Sequence, residues 1–169
     1  MKKFWILMIC FAVLGLGTLQ AQNYKIGYFD TQAVLPKMPE YKKAQADMKT
    51  FAKKLEDELK RMQQVFQKLY LDYQKRAPKM STAARQAAEQ NLQKKNAEIT
   101  QFRQGAPGRI RKKEGELLKP IYTKVENAIK AVSKEGNYNF VLRKETAIYA
   151  GKKYDISPLV LKKMGLKAE

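Results

Sequence analysis

The densest run of side chains able to do bond chemistry is Glu56-Asp57-Glu58. Three carboxylates in series could hold a divalent cation or relay a proton, provided that they converge. Consecutive helical residues point about 100° apart, so on a helix these three do not. The chain has no histidine. That removes Ser-His-Asp and Cys-His nucleophile pairs, a histidine general base and every His-containing zinc site. Its one cysteine, Cys10, excludes internal disulfides and CxxC redox or metal motifs. An enzyme would be left with carboxylates, Lys, Tyr and Ser. No enzymatic activity, cofactor or metal is expected.

The remaining chemistry is weak, adaptable apolar contact. Met48, Met62, Met80, Phe66, Tyr70 and Tyr73 suit it, because Met and aromatic side chains repack against varied partners. Four of the six also belong to a stripe, Tyr41, Ala44, Met48, Phe51, Leu55, Leu59, Met62, Phe66, Leu69 and Tyr73, with steps of three and four. Helix-against-helix packing is therefore the competing role for Met48, Met62, Phe66 and Tyr73. Tyr70 and Met80 lie off the stripe.

Charge is the second resource. The chain has 34 Lys+Arg against 16 Asp+Glu, a formal +18. Residues 40–77 have 10 basic and 6 acidic side chains, residues 78–113 have 9 and 2, and residues 114–135 have 4 of each. Lys75, Arg76, Lys79, Arg85, Lys94 and Lys95 are the candidates for meeting acidic partners or anionic lipid head groups. The alternative for any one of them is an ordinary solvated helix face.

These residues must be positioned by an extended scaffold. Lys2 and Lys3 precede the uncharged stretch Phe4 to Leu16, and Gly17-Thr18-Leu19-Gln20-Ala21 follows. This is the layout of a secretory signal peptide, residues 1–21, cleaved after Ala21. The stretch is shorter than the ~20 apolar residues that span a bilayer. Met8 and Ile9 are too bulky for a lipoprotein motif at Cys10. Cleavage would leave 32 basic and 16 acidic residues and no cysteine, which suits an oxidising compartment. The expected location is outside the cytoplasm, with membrane association left open.

Tyr24 to Asp30 reads as a strand. Asp30 or Thr31 caps a helical turn that Pro36 stops, and Pro39 opens a helix running to Ala77, about 57 Å long. Residues 76–81 form a tip, and Ser81 caps a return helix bearing Ala84, Ala88, Leu92, Ile99 and Phe102. Gly105-Ala106-Pro107-Gly108 should break or kink it. It resumes through Ile110, Leu117, Leu118, Ile121, Val125, Ile129 and Val132, and Gly136 ends it. Tyr138–Leu142 and Ala147–Ala150 read as two more strands. Ser157-Pro158 caps a last helix, stopped by Gly165. The expected class is α+β, mostly α, with an arm at 40–113 and a β-rich body from 22–39 and 114–169. Three short strands bury little alone, so an oligomer should complete the body. Its candidate residues are Ile26, Tyr28, Val132, Phe140, Leu142 and Ile148.

Ile26-Gly27-Tyr28-Phe29-Asp30, Val34-Leu35 and Pro39-Glu40-Tyr41-Lys42-Lys43-Ala44 resemble the opening of Skp/OmpH-type periplasmic chaperones. So do Leu117-Leu118-Lys119-Pro120-Ile121-Tyr122, Lys134-Glu135-Gly136-Asn137-Tyr138, Phe140-Val141-Leu142 and Asp155-Ile156-Ser157-Pro158-Leu159-Val160-Leu161. The resemblance implies a homotrimer whose helical hairpins surround a cavity. Unfolded outer-membrane proteins would be held there without ATP. It also implies an uninterrupted return helix, from which Gly105-Ala106-Pro107-Gly108 departs. Two other classes fit parts of the pattern. A structural coiled-coil tether at the envelope would use the long helices as spacers with a dry seam. A basic nucleic-acid-binding protein would use the charge, but no base-reading module is visible, so no specific nucleic acid is expected.

Overall fold

The computed structural model describes residues 24–167; the signal peptide expected at 1–21, its cleavage after Ala21 and Cys10 lie outside the described residues. The chain is mostly α, with a small β part. The order is β1 (Ile26–Phe29), α1 (Thr31–Val34), a 3-10 turn (Leu35–Lys37), α2 (Pro39–Arg76), a 3-10 turn (Ala77–Lys79), α3 (Thr82–Glu135), β2 (Phe140–Arg143), two 3-10 turns and α4 (Ser157–Lys163). Helices α2 and α3 have 38 and 54 residues, about 57 and 81 Å. They pair as a hairpin, and the surplus length of α3 enters the body.

The core lies in that body. Ile121, Val125, Ala128 and Val132, one face of α3, pack with Phe29, Val34, Leu35, Met38, Ile156, Val160 and Leu161. Ala44 is the contribution of α2 to this cluster. Met38, Ile156, Val34 and Val160 are the largest side chains sealed from solvent.

Three expected signals act as read. Asp30 caps α1 by accepting from the Ala33 N–H at 3.0 Å, Pro39 occupies the first turn of α2, and Ser81 accepts from the Ala84 N–H at 3.2 Å.

Five others differ. Pro36 sits inside a 3-10 turn and does not end the helical path, since proline needs no N–H in a first turn. Ser157 does not cap α4, whose N-cap is Ile156. Its Oγ instead accepts the Asp30 N–H at 2.8 Å, tying the end of β1 to α4. At the end of α3, the left-handed residue is Asn137 (φ 52°), not Gly136. Gly136 serves a different need, because a Cβ there would lie 2.4 Å from the Tyr138 ring. Ala147–Ala150 forms no strand; a 3-10 turn at Lys144–Thr146 precedes it and no described strand pairs with it. An extended, β-prone segment becomes a strand only when a partner is present.

The largest difference is Gly105-Ala106-Pro107-Gly108, through which α3 runs unbroken. Relative to alanine, two glycines and a proline cost a helix about 5 kcal/mol in all. The seam nonetheless stays in register across the segment. Ala88, Leu92, Lys95, Ile99, Phe102, Ala106, Ile110, Lys113, Leu117 and Ile121 are the half-buried or buried residues facing α2, and the series passes through Ala106. Gly105, Pro107 and Gly108 fall on the solvent side, where water can satisfy the Arg103 carbonyl that Pro107 leaves without a helical donor.

Asp30 is a junction. Besides Ala33 and Ser157 it pairs with Lys144, linking β1, α1, α4 and the turn after β2. The hydrogen bond from Lys144 holds its carboxyl below the usual carboxylate range, against the effect of burial, and the Ala33 N–H adds to it. The unfolded chain therefore binds the proton first as pH falls. Its contribution is complete above about pH 4, the unfolded value, and is lost as pH drops through the lower folded value. Asp30→Asn keeps a capping oxygen. It should remove this part of the acid dependence in denaturant unfolding curves taken between about pH 4 and 2. An unaltered dependence would mean that the Lys144 pair contributes nothing.

Candidate functional site

Two surfaces stand out, the arm and one face of the small sheet. Along α2, the stripe residues Met48, Phe51, Leu55, Leu59, Met62, Phe66, Leu69 and Tyr73 are only half-buried, while Ala44 is buried. On the α3 side, Ile99 is the one arm residue that is buried. Two helices packed along a single seam leave each apolar side chain with one flank open. Met48, Met62, Phe66 and Tyr73 thus both hold the hairpin and line its open flanks. Tyr70 is exposed and stacks on Phe66, with ring centroids 6.3 Å apart. Met80 is half-buried at the tip. Val65 and Leu71, which periodicity did not single out, are also exposed.

Polar contacts join the arms at the two ends. Lys124 pairs with Glu40 at the root. Near the tip, the Tyr73 hydroxyl donates to Glu89 and Arg85 Nη2 donates to the Ala77 carbonyl at 2.9 Å. Of the expected basic contacts, Lys75, Lys79 and Lys94 are exposed. Arg76 pairs with Asp72 at 3.2 Å. Lys95 lies half-buried on the seam and pairs with Glu98 at 2.8 Å. Arg85 holds the tip closed. The basic surface is therefore unevenly available, and Lys75, Lys79 and Lys94 are its freest members of the six.

The sheet is two parallel strands in the register Ile26↔Phe140, Gly27↔Val141, Tyr28↔Leu142 and Phe29↔Arg143. Side chains alternate across a strand, so Ile26, Tyr28, Phe140 and Leu142 share one face. Tyr28 is buried, but Ile26, Phe140 and Leu142 are 44%, 55% and 49% exposed. The Tyr24 ring lies against Phe140 at 6.0 Å between centroids. On its far side β1 bridges Tyr28 to Asp155, and the Ile156 N–H donates to the Tyr28 carbonyl. No described strand pairs with the far edge of β2. Val132, by contrast, is spent inside the protomer core. Ile148 projects fully into solvent from the segment after Thr146, with Tyr149 beside it. Sequence patterning missed Tyr149 and Tyr24. The β-prone composition around each was the available signal.

Among the described residues, no group of three or more His, Cys, Asp or Glu is arranged to hold a metal. No helix among them is long and apolar enough to cross a membrane.

A long, thinly packed helical hairpin on a small body with an uncovered apolar sheet face defines a class of arm-bearing proteins. The family described as "Outer membrane protein (OmpH-like)" matches residues 25–164, and the chain belongs to it. The "Chaperone protein Skp" of Yersinia enterocolitica is 26% identical over 174 residues, covering 97% of this chain and 99% of that protein. A solved structure of a putative outer membrane chaperone (OmpH-like) from Caulobacter crescentus superposes with a TM-score of 0.72 at 16% identity, covering 82% of each chain. That likeness establishes the shared fold.

Proposed function

We propose that the chain is an ATP-independent periplasmic holdase that keeps unfolded outer-membrane proteins from aggregating. The observation that carries this reading is the arm, whose Met and aromatic side chains stay half-exposed along its whole length. Three protomers would join through the apolar sheet face and the free edge of β2, in a body formed by residues 22–39 and 114–169. The arms, residues 40–113, would then surround a shared cavity. Contacts there would be numerous, weak and unspecific, which is what binding many unfolded chains requires. Lys75, Lys79 and Lys94 would attract acidic clients, anionic lipid or lipopolysaccharide at the outer half of the arm. Family membership and the resemblance to Skp support the periplasmic setting.

The test is dilution of a urea-unfolded β-barrel protein into the purified mature chain, with light scattering as the readout. Aggregation should be suppressed at about one trimer per client. Undiminished scattering across a range of salt would overturn the holdase reading. Addition of ATP should change nothing.

A further inference from the structure

We propose that Met62 is an oxidation site built into the arm, where a peroxide converts the thioether to the sulfoxide while the hairpin stays closed. Met62 lies on the α2 stripe and is half-buried. It lines a cavity of about 230 Å³ with Glu58, Arg61 and Val65 of α2 and Lys95, Glu98 and Ile99 of α3. Val65 and Ile99 form the apolar wall. The charged wall is two ion pairs, one on each helix: Arg61–Glu58 at 2.6 Å and Lys95–Glu98 at 2.8 Å.

A new sulfoxide oxygen needs room and a donor, because a polar group shut into an apolar site without a partner is strongly disfavoured. The cavity supplies the room, since a water molecule takes up only about 30 Å³ and oxidation adds a single oxygen atom. The rim supplies the donors. A guanidinium and an ammonium each carry more N–H groups than one contact uses, so Arg61 and Lys95 have N–H groups to spare beyond their glutamates. Lys95 sits in the seam series between Leu92 and Ile99, where an aliphatic side chain would offer no donor at all. Met38 is the opposite case. It has no solvent exposure and belongs to the core cluster with Val34, Ile156 and Val160, so peroxide reaches it only when the body opens.

The step balances with hydrogen peroxide as oxidant. A lone pair on Met62 Sδ forms the S–O bond, the O–O bond breaks, and the second oxygen leaves as water with both protons. Sulfur gives up two electrons and the peroxide takes them. The product turns one of the arm's apolar contact positions polar without taking the arm apart. The site rests on the closed hairpin and does not depend on what the arm holds.

The test treats the mature protein with dilute hydrogen peroxide, digests it with trypsin and follows the gain of one oxygen by mass. Cleavage after Lys37 and after Arg61 places Met38 and Met62 in separate peptides. Met62 should oxidise at least ~10-fold faster than Met38, because its access needs no opening of the body. Helical circular dichroism should not change. The donors are tested with Arg61→Leu/Lys95→Leu, which keeps Met62 and its apolar neighbours. Oxidation should speed amide exchange over residues 58–66 by less than ~3-fold in the parent and by more than ~10-fold in the double variant, where the sulfoxide lies unpaired against the seam. Met62 oxidising no faster than Met38, or oxidation opening the parent as much as the double variant, would overturn the proposal.

Discussion

Met38→Ala is expected to lower the unfolding free energy by about 2–5 kcal/mol, the range for emptying a well-packed core site. Met38 has no solvent exposure. It lies between the 3-10 turn and α2, where its carbonyl accepts from Tyr41 and Lys42 and its N–H donates to Leu35. The surrounding Val34, Ile156 and Val160 are themselves sealed, and backbone bonds pin the site from both sides, so little collapse can fill the void. Native domains have only about 5–15 kcal/mol in total, so the loss is a large share. Urea unfolding of the mature protein measures it. Leu71→Ala, at an exposed arm position, should change stability by less than about 0.5 kcal/mol. A Met38 variant as stable as the Leu71 variant would show that the body does not carry the stability of the protomer.

The contrast between these two positions also marks what the sequence could reveal. The arm was legible because its stripe repeats over many turns, and periodicity accumulates evidence with length. Capping by Asp30 and Ser81 and the entry at Pro39 were legible because cap chemistry is local. The body was harder. Met38 follows no period, since its burial depends on α3 and α4 closing over it from more than eighty residues away. Ser157 looked like a cap by composition, but its oxygen was claimed by the Asp30 amide across the fold. Gly105–Gly108 looked like a break because propensity counts residues one at a time. The register of the seam, which decided the outcome, is a property of both arms together. On the sheet face, Ile26, Tyr28, Phe140 and Leu142 were recognisable as β-formers. That they lie on one side became visible only with the parallel register of β1 and β2.

That shared side leads to the largest functional effect. If the proposed trimer and holdase activity hold, Phe140→Asp/Leu142→Asp is expected to convert the assembly to monomers and to abolish suppression of client aggregation. Phe140 and Leu142 point away from the protomer core, whose members are Phe29, Val34, Leu35, Met38 and their neighbours. Helical circular dichroism should therefore remain close to that of the parent. An assembly that covers this face would have to desolvate two carboxylates per protomer. The cost is several kcal/mol, which weakens association by at least ~1,000-fold. Light scattering should read about three chains per particle for the parent and one for the variant at the same concentration. Single arms cannot enclose a client, so loss of assembly and loss of holding should appear together across a dilution series. A variant that stays assembled would remove the sheet face from the interface. A monomeric variant that still suppresses aggregation would mean that single arms suffice and the cavity is not required.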